Sequence, residues 1–561
     1  MKKPNTKKNF MSEKTKSKIR SNNKQKRSDG KGYTKDEIGE KGNDLAWHSK
    51  SQQLLFDNAS IPWSWATGKS IRRHMNYDLQ ATAEVRDQEY YLPGICSIRT
   101  VHTPGVANNG ADAINQAAMS LYTDIRRMLK SANVYEASDV IIYMMAVAEI
   151  LAYISWATRI YGTLMLYSYT NTYVPTALLH AQGVNAEELK AHPAEFRGRI
   201  NVLIAKASQI WIPKGFDFLE RMKFIYANYY TEGPSMKDQL YMWTPALFRR
   251  FELDEEGDYK GQLVPKFIIP RASDNIENLW NMDQICKTLE SMIDALIGDS
   301  DFQNIAGDLF NRYGAGGVET YQLIPENVIV QPVISIEVLE QMQNARCLNI
   351  VHNLYNTFFT ANANIKTNPT AFWTISQDET RNILIIPNTI NMGIDDYALL
   401  VNAKYGALDP ILVIHDNPSP EKTMLISRQT NLIFHGEEDL TEGATFWFDV
   451  ACEWVVEIDY VYKSSDQIAG AEYAVTTEIG SESNNSGDME RFLTVISVMS
   501  SFHYHPLMFL VRRSTTIPTL GHYAFGEQDI VAPISAASLK EINRVDLLSL
   551  FAVPDVGKVT G

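Results

Sequence analysis

The sequence predicts an α+β protein, helix-rich in its earlier part and turning to strands later. Three observations carry that expectation. Apolar residues recur at helical spacing in successive segments from Ala111 to about Gly317. One of these, SDVIIYMMAVAEILAYISWATRIYGTLMLYSY (Ser138 to Tyr169), is apolar nearly all round, so protein must enclose it as a buried central helix. Beyond Thr320 strand patterns take over. In DVACEWVVEIDYVY, Val450, Cys452, Trp454, Val456, Ile458, Tyr460 and Tyr462 alternate with a face that includes Asp449, Glu453, Glu457 and Asp459. Period two with β-branched and aromatic residues predicts a half-buried strand.

The helical part reads in order as ADAINQAAMSLYTDIRRMLKSA, the central helix, NAEELKAHPAEFRGRINVLIAKASQIW, DFLERMKFIYANYY and NLWNMDQICKTLESMIDALIG. Ser138 and Asp139 are candidate N-caps of the central helix. Glu149 and Arg159 divide it into uncharged runs of nine, Val140 to Ala148 and Ile150 to Thr158. A span needs about 20 apolar residues, so no transmembrane helix is expected. Further strands are expected at AFWTISQ, NILIIP, PILVIHD and TNLIFHG, between Asp, Asn, Pro and Gly clusters. A polar loop follows at Gly480 to Asp488, and SAASLKEINRVDLLSLFAVP closes the chain with a helix. From Trp47 to Gly110 periods are short and Pro62, Pro93, Pro104 and Gly105 interrupt them, which predicts an extended segment that gains its burial from a partner.

Charge divides the chain in two. The first 31 residues hold Lys2, Lys3, Lys7, Lys8, Lys14, Lys16, Lys18, Arg20, Lys24, Lys26, Arg27 and Lys31 against Glu13 and Asp29. The whole chain has 52 basic and 66 acidic residues, which leaves 40 and 64 from Gly32 onward. The arm's apolar residues, Met1, Phe10, Met11 and Ile19, are too few to order it. A localisation patch, a solubility tail and a polybasic membrane-surface patch are alternatives. Nucleic acid is the favoured partner, because contact with phosphates needs only Lys and Arg density.

No motif for catalysis, cofactor or metal emerges. TGKS (Thr67 to Ser70) lacks the first glycine of a phosphate-binding loop, where Trp63 stands. YGAGGVE (Tyr313 to Glu319) lacks dinucleotide spacing and reads as a turn after a helix. His503 and His505 have no adjacent acid in sequence, and no G-x-S-x-G elbow is present. Glu453 and Glu457 lie about 13 Å apart along a strand, too far to share an ion, so a solvated face is expected. Cys96, Cys286, Cys347 and Cys452 form neither a disulfide framework nor a zinc module.

NDLAWHSKSQQLLFDNASIP, YEASDVIIYMMAVAEILAYI, VPTALLHAQGV, QLVPKFIIPRASDN and LIGDSDFQNIAGDLFNRYGAGG resemble, in order, segments of picobirnavirus capsid proteins. The spacing Gly298, Asp299, Asp301, Phe302, Ala306, Gly307, Asp308, Phe310, Gly314 is the most specific part, and the resemblance runs from the basic arm to the LLSLFAVPD tail.

It implies a helix-rich shell region, a more β-rich projecting region and an N-terminal portion exchanged between partners. The corresponding divisions are a disordered basic RNA-facing arm (1–42), an assembly segment (43–110), the shell region (111–325), the projecting region (326–525) and a C-terminal helix and tail returning to the shell (526–561). It further implies symmetric dimers that close a small icosahedral shell, one dimer at each equivalent position, around a segmented double-stranded RNA genome and the viral RNA polymerase. The virion is the implied location, with assembly in host cytoplasm and transient contact with a host membrane. Self-cleavage of an N-terminal peptide occurs in part of that family, and no residue here is assigned to it. An RNA-coating nucleoprotein and an enzyme with a basic tail are the alternatives. The first needs basic and aromatic residues across an otherwise acidic body, and the second lacks a motif.

Overall fold

A helix that is apolar on every side has to be wrapped, and the fold is organised around Ala137–Leu164. In the computed structural model the described residues are 51, 53–54, 70–74, 87–91, 95–127, 135–168, 173–231, 233, 240–254, 260–268, 279–357, 368–392, 410–414, 419–439, 443–461, 471–473, 507–510, 523–527 and 531–552. They belong almost entirely to a unit spanning Ala66–Gly561. The basic arm, TGKS except Ser70, His503, His505 and the Gly480 to Asp488 loop lie outside them.

The central helix is long and apolar enough to cross a membrane, yet 94% of its most apolar window is buried, which makes it a core helix. Within it only Asp139, Ser155 and Thr158 are partly exposed. Helices Ala113–Arg126, Asp217–Ile225, Met282–Ile297 and Ser300–Gly317 pack around it. Its start corrects the expected cap. Glu136 is the N-cap, and its backbone N–H donates to Asp139 at 2.7 Å. Ser138 instead donates its backbone N–H to Asn382 Oδ1 at 2.9 Å.

The helical pattern beginning at Asn185 divides into Ala186–Ala191 and Pro193–Lys206. Pro193 starts the second helix, where its missing N–H costs nothing. In Ser300–Gly317 the chain leaves helical geometry at Gly314, with φ of 69°, a conformation glycine adopts without steric penalty. The expected turn is there.

The central sheet runs in the order Ala471–Tyr473, Glu453–Val461, Ile95–His102, Leu240–Pro245, Tyr230–Thr231. Ile95–His102 pairs antiparallel with Glu453–Val461 and parallel with Leu240–Pro245, and all eight of its residues are buried. This corrects the reading of the segment up to Gly110. From Ile95 onward it takes its burial from its own chain, because a strand paired on both edges and covered on both faces reads as part of the core.

A four-stranded sheet has the order Ile383–Ile385, Ile375–Asp378, Lys260–Phe267, Leu247–Asp254, and a three-stranded one the order Thr389–Met392, Gly443–Asp449, Leu432–Asp439. Strands therefore stand inside the part expected to be helical. Helices Ile336–Gln343, Asn349–Thr357, Pro369–Trp373 and Pro420–Ser427 stand inside the part expected to be β. Three of these short helices start at side-chain N-caps, Ser335, Asn368 and Ser419, whose oxygens accept first-turn backbone N–H groups. AFWTISQ is accordingly half helix and half strand. Strands do form at NILIIP, PILVIHD and TNLIFHG, and a helix at Ala536–Leu550.

Candidate functional site: buried charges and an exposed apolar strap

The carboxylate face expected in solvent is where the structure departs furthest from the sequence reading. Asp449 to Tyr462 is not one strand: bends at Ala451 and Cys452 separate Gly443–Asp449 from Glu453–Val461, and the two halves join different sheets. A register shift between Val455 and Glu457 then disturbs the strict alternation. Glu453 and Glu457 are buried at 1% and 3% exposure, not solvated.

Each meets an arginine. Arg221 Nε donates to Glu453 Oε1 at 2.8 Å, and its guanidinium lies 5.1 Å from the Trp243 ring. Arg99 Nε lies 3.3 Å from Glu457 Oε2 on the neighbouring strand. Burial pushes the Glu453 carboxyl up, but Arg221, with Arg428 and Cys452 adding to it, holds the group below the usual carboxylate range.

A second buried group ties the central helix to the sheets. Arg249 donates to Glu149 at 2.9 Å and to the carbonyls of Trp373 and His102 at 2.8 and 2.6 Å. His102 Nδ1 is 3.6 Å from the same carboxylate. Burial raises the Glu149 pKa, and His102 and Arg249 together bring it below its ordinary value. Arg159 is held by neutral oxygens, donating to Gln182 at 3.0 Å, Trp243 O at 2.8 Å and Asn228 O at 3.3 Å. The two charges that interrupt the apolar helix are thus both neutralised or solvated by protein. These ion pairs tie helix and sheet together, each carboxylate of Glu149 and Glu453 accepting its arginine through Oε1 while its buried Oε2 accepts no hydrogen bond from the described residues.

A cavity of about 500 Å³ is bordered by Glu136, Asp139, Asp299, Asp301 and Glu379. Burial, then the neighbouring Asp299 and Asp139, raise the Asp301 carboxyl. Among the described residues no group of three His, Cys, Asp or Glu side chains is arranged to hold a metal ion.

The other prominent feature is a strap from Thr320 to Ser335 with little regular structure. Ile324 is fastened by Asn201, whose Nδ2 donates to its carbonyl at 3.0 Å and whose Oδ1 accepts its N–H at 2.8 Å. Tyr161 on the central helix donates to Glu326 O at 2.9 Å. Val333 pairs with the sheet edge, donating to Tyr229 O at 2.8 Å and accepting from Thr231 N–H at 3.0 Å. Ile324 and Val330 point inward and are buried, whereas Leu323, Ile329, Val333, Ile334 and, at the start of the next helix, Ile336 stand 41–56% exposed.

Residues 47–401 match the family described as Picobirnavirus, Capsid protein. The chain belongs to the picobirnavirus capsid protein family. A capsid protein precursor of Human picobirnavirus (strain Human/Thailand/Hy005102/-) is 26% identical over 309 residues, 54% of each chain, so the aligned part spans about half the length of that relative. The X-ray crystallographic structure of the picobirnavirus capsid superposes with a TM-score of 0.71 at 18% identity, covering 92% of this chain and 100% of that one, and shows the same fold.

In this capsid protein the matched region begins after the twelve basic arm residues. It contains the whole strap and the central helix. Sequence reasoning missed Arg99, Arg221, Arg249 and His102. The available signal was their position within apolar stretches, such as LFRRFELD, where a charge implies a buried partner. It also passed over the strap, whose run NVIVQPVISI is apolar on both faces of an extended backbone.

Proposed function

We propose that the chain is a coat subunit that pairs into symmetric dimers and closes a small icosahedral shell around a segmented double-stranded RNA genome. The observation that carries this is the family match over residues 47–401 standing next to a basic arm that precedes it. Closing copies into a shell gathers their arms with the packaged polyanion. With on the order of a hundred copies, arms of about ten net charges neutralise about a thousand phosphates by counterion release. The acidic remainder, with 40 basic against 64 acidic residues, discourages RNA from adhering elsewhere. The division into assembly segment, shell (111–325), projection (326–525) and returning tail (526–561) belongs to this reading. So do packaging of the viral polymerase, assembly in host cytoplasm and transient contact with a host membrane during entry.

Electron microscopy of the purified full chain tests it. Uniform closed particles containing RNA are expected. Open filaments on RNA would replace the reading with a nucleoprotein, and a persistent monomer would leave neither standing.

A further inference from the structure

Asn109 and Gly110 form the one Asn–Gly step in the chain, and the fold presents it in the open. They lie in the loop that joins Ile95–His102 to Ala113–Arg126, where Asn108 to Ala111 are all exposed. A glycine in second place matters because it has no Cβ to obstruct approach to its own nitrogen. Even an added Cβ on Gly110 would meet nothing within 4 Å.

The loop is ordered, and its order brings two reactive groups together. Asp112 Oδ2 accepts the backbone N–H of Asn108 at 2.7 Å and of Asn109 at 2.9 Å, which holds the turn. Asn109 Oδ1 accepts the Ala111 N–H at 2.8 Å. This is an Asx turn, and it folds the side-chain amide back beside the Gly110 nitrogen. The Ala111 N–H also points at the oxygen on which negative charge collects when Cγ is attacked, as donors that stabilise a tetrahedral intermediate do. The Gly110 N–H makes no hydrogen bond to the described residues. A nucleophile is therefore held near its carbonyl, unhindered and unengaged.

We propose that Asn109 is a site of spontaneous covalent modification, closing a succinimide with Gly110 that water opens to aspartate or isoaspartate. Solvent base removes the Gly110 N–H proton, and the nitrogen forms a bond to Asn109 Cγ. The Cγ–Nδ2 bond breaks, and the amine leaves with a proton as ammonia. Water then adds to one of the two ring carbonyls and breaks its bond to the ring nitrogen. The net reaction consumes one water and releases one ammonia, with no change of oxidation state. Opening at the former side-chain carbonyl gives aspartate. Opening at the main-chain carbonyl gives isoaspartate, which routes the backbone through Cγ and lengthens it by a methylene.

The two products differ in what they do to the fold. Asn109 O accepts Asn115 Nδ2 at 2.9 Å. Asn115 is 2% exposed and also grips Leu384, accepting its N–H at 2.8 Å and donating to its carbonyl at 3.1 Å. One side chain thus fastens the loop and the helix Ala113–Arg126 to the strand Ile383–Ile385. In isoaspartate the carbonyl that Asn115 holds becomes a carboxylate off the main chain, so this seam loosens. Aspartate adds its charge beside Asp112 without lengthening the backbone.

The purified full chain, aged in mildly alkaline buffer and mapped by peptide mass spectrometry, tests this. The peptide holding Asn109 should exchange an amide for a carboxyl at that residue and split into two chromatographic forms. It should do so at least about tenfold faster than the peptide holding Asn311, which is exposed but followed by Arg312. In water labelled with heavy oxygen the new carboxyl should carry the label. Gly110→Ala places its methyl in open space, so circular dichroism should stay at wild-type values while the change slows at least about tenfold. Aged wild type should unfold at lower urea than fresh Asn109→Asp, because only isoaspartate breaks the hold of Asn115. An Asn109 peptide that changes no faster than that of Asn311 overturns the proposal, and so does a folded Gly110→Ala chain that ages like wild type. If Gly110→Ala misfolds, isoaspartyl methyltransferase acting on aged wild type decides: methyl groups taken up at residue 109 support the proposal, and none taken up there overturns it.

Discussion

The Arg221 guanidinium donates to the Glu453 carboxylate at 2.8 Å with both side chains almost wholly excluded from water. Arg221 comes from the Asp217–Ile225 helix and Glu453 from the first position of a central strand, so the pair joins two layers of the fold. Removing one partner strands a buried charge. Glu453→Gln or Arg221→Met should each lower stability by roughly 3–5 kcal/mol. Arg221→Met with Glu453→Leu should recover a large part of that loss. Urea denaturation of the full chain measures all three, and a double variant as unstable as either single one would contradict the pairing.

Ala148 is fully buried in the central helix. Ala148→Glu places an unpartnered carboxylate there, at a cost of several kcal/mol, and should abolish soluble folded protein. Soluble yield and circular dichroism provide the comparison; wild-type levels of folded variant would show that the helix is not enclosed.

Gly162 is where the strap crosses the central helix. A Cβ there would lie 2.5 Å from the Val330 side chain and 3.1 Å from the Val330 backbone nitrogen, so the strap itself has to move. Gly162→Ala should destabilise by about 1–3 kcal/mol as an overpacked contact. Pairing it with Val330→Ala should restore part of the loss. Thermal unfolding distinguishes this from a neutral change, which would place the strap further from the helix.

Falling and rising pH act on different carboxyls. Burial lifts Asp449 from an ordinary 3.8 to about 6, against the Asn543 amide that donates to it at 2.7 Å. Its raised folded pKa means the native state binds the proton more tightly, so stability declines as pH rises from about 4 to about 6. Glu149 and Glu453 are held below their ordinary values, so what they contribute is present above the usual carboxylate range and is lost on acidification. Asp449→Asn should flatten the decline between pH 4 and 6 while leaving the acid limb in place. Urea midpoints across that range check it; an unchanged slope would remove Asp449 as its source.

Deleting residues 1–31 should leave particle formation intact and reduce the RNA enclosed, because twelve Lys and Arg residues go with the arm. RNA binding by free wild-type subunits should weaken steeply with salt, by a slope of up to about 0.9 per phosphate neutralised on a duplex. Absorbance ratios of purified particles report the RNA content. Equal RNA in truncated and full-length particles would make the arm a bystander.

The central helix was legible in the sequence because a stretch apolar on all sides has one physical solution, enclosure by protein. Helices at Ala113–Arg126, Met282–Ile297 and Ala536–Leu550 were legible for a related reason: their apolar residues recur on one face. The charge division at the arm is composition alone and needs no fold. What only the tertiary structure decided is where each charge and each apolar face ends up. Period two placed Glu453 and Glu457 opposite Trp454 and Val456, but not in water. Layers packed on both faces of the sheet bury Glu453 to Ile458 throughout, and partners more than two hundred residues distant, as Arg221 is from Glu453, leave no local trace. The same holds for Ile95–His102, whose neighbours on both sides come from later in the chain. The strap is the converse case. Its sequence looks like core on both faces, and only the folded chain shows that one of those faces is left uncovered.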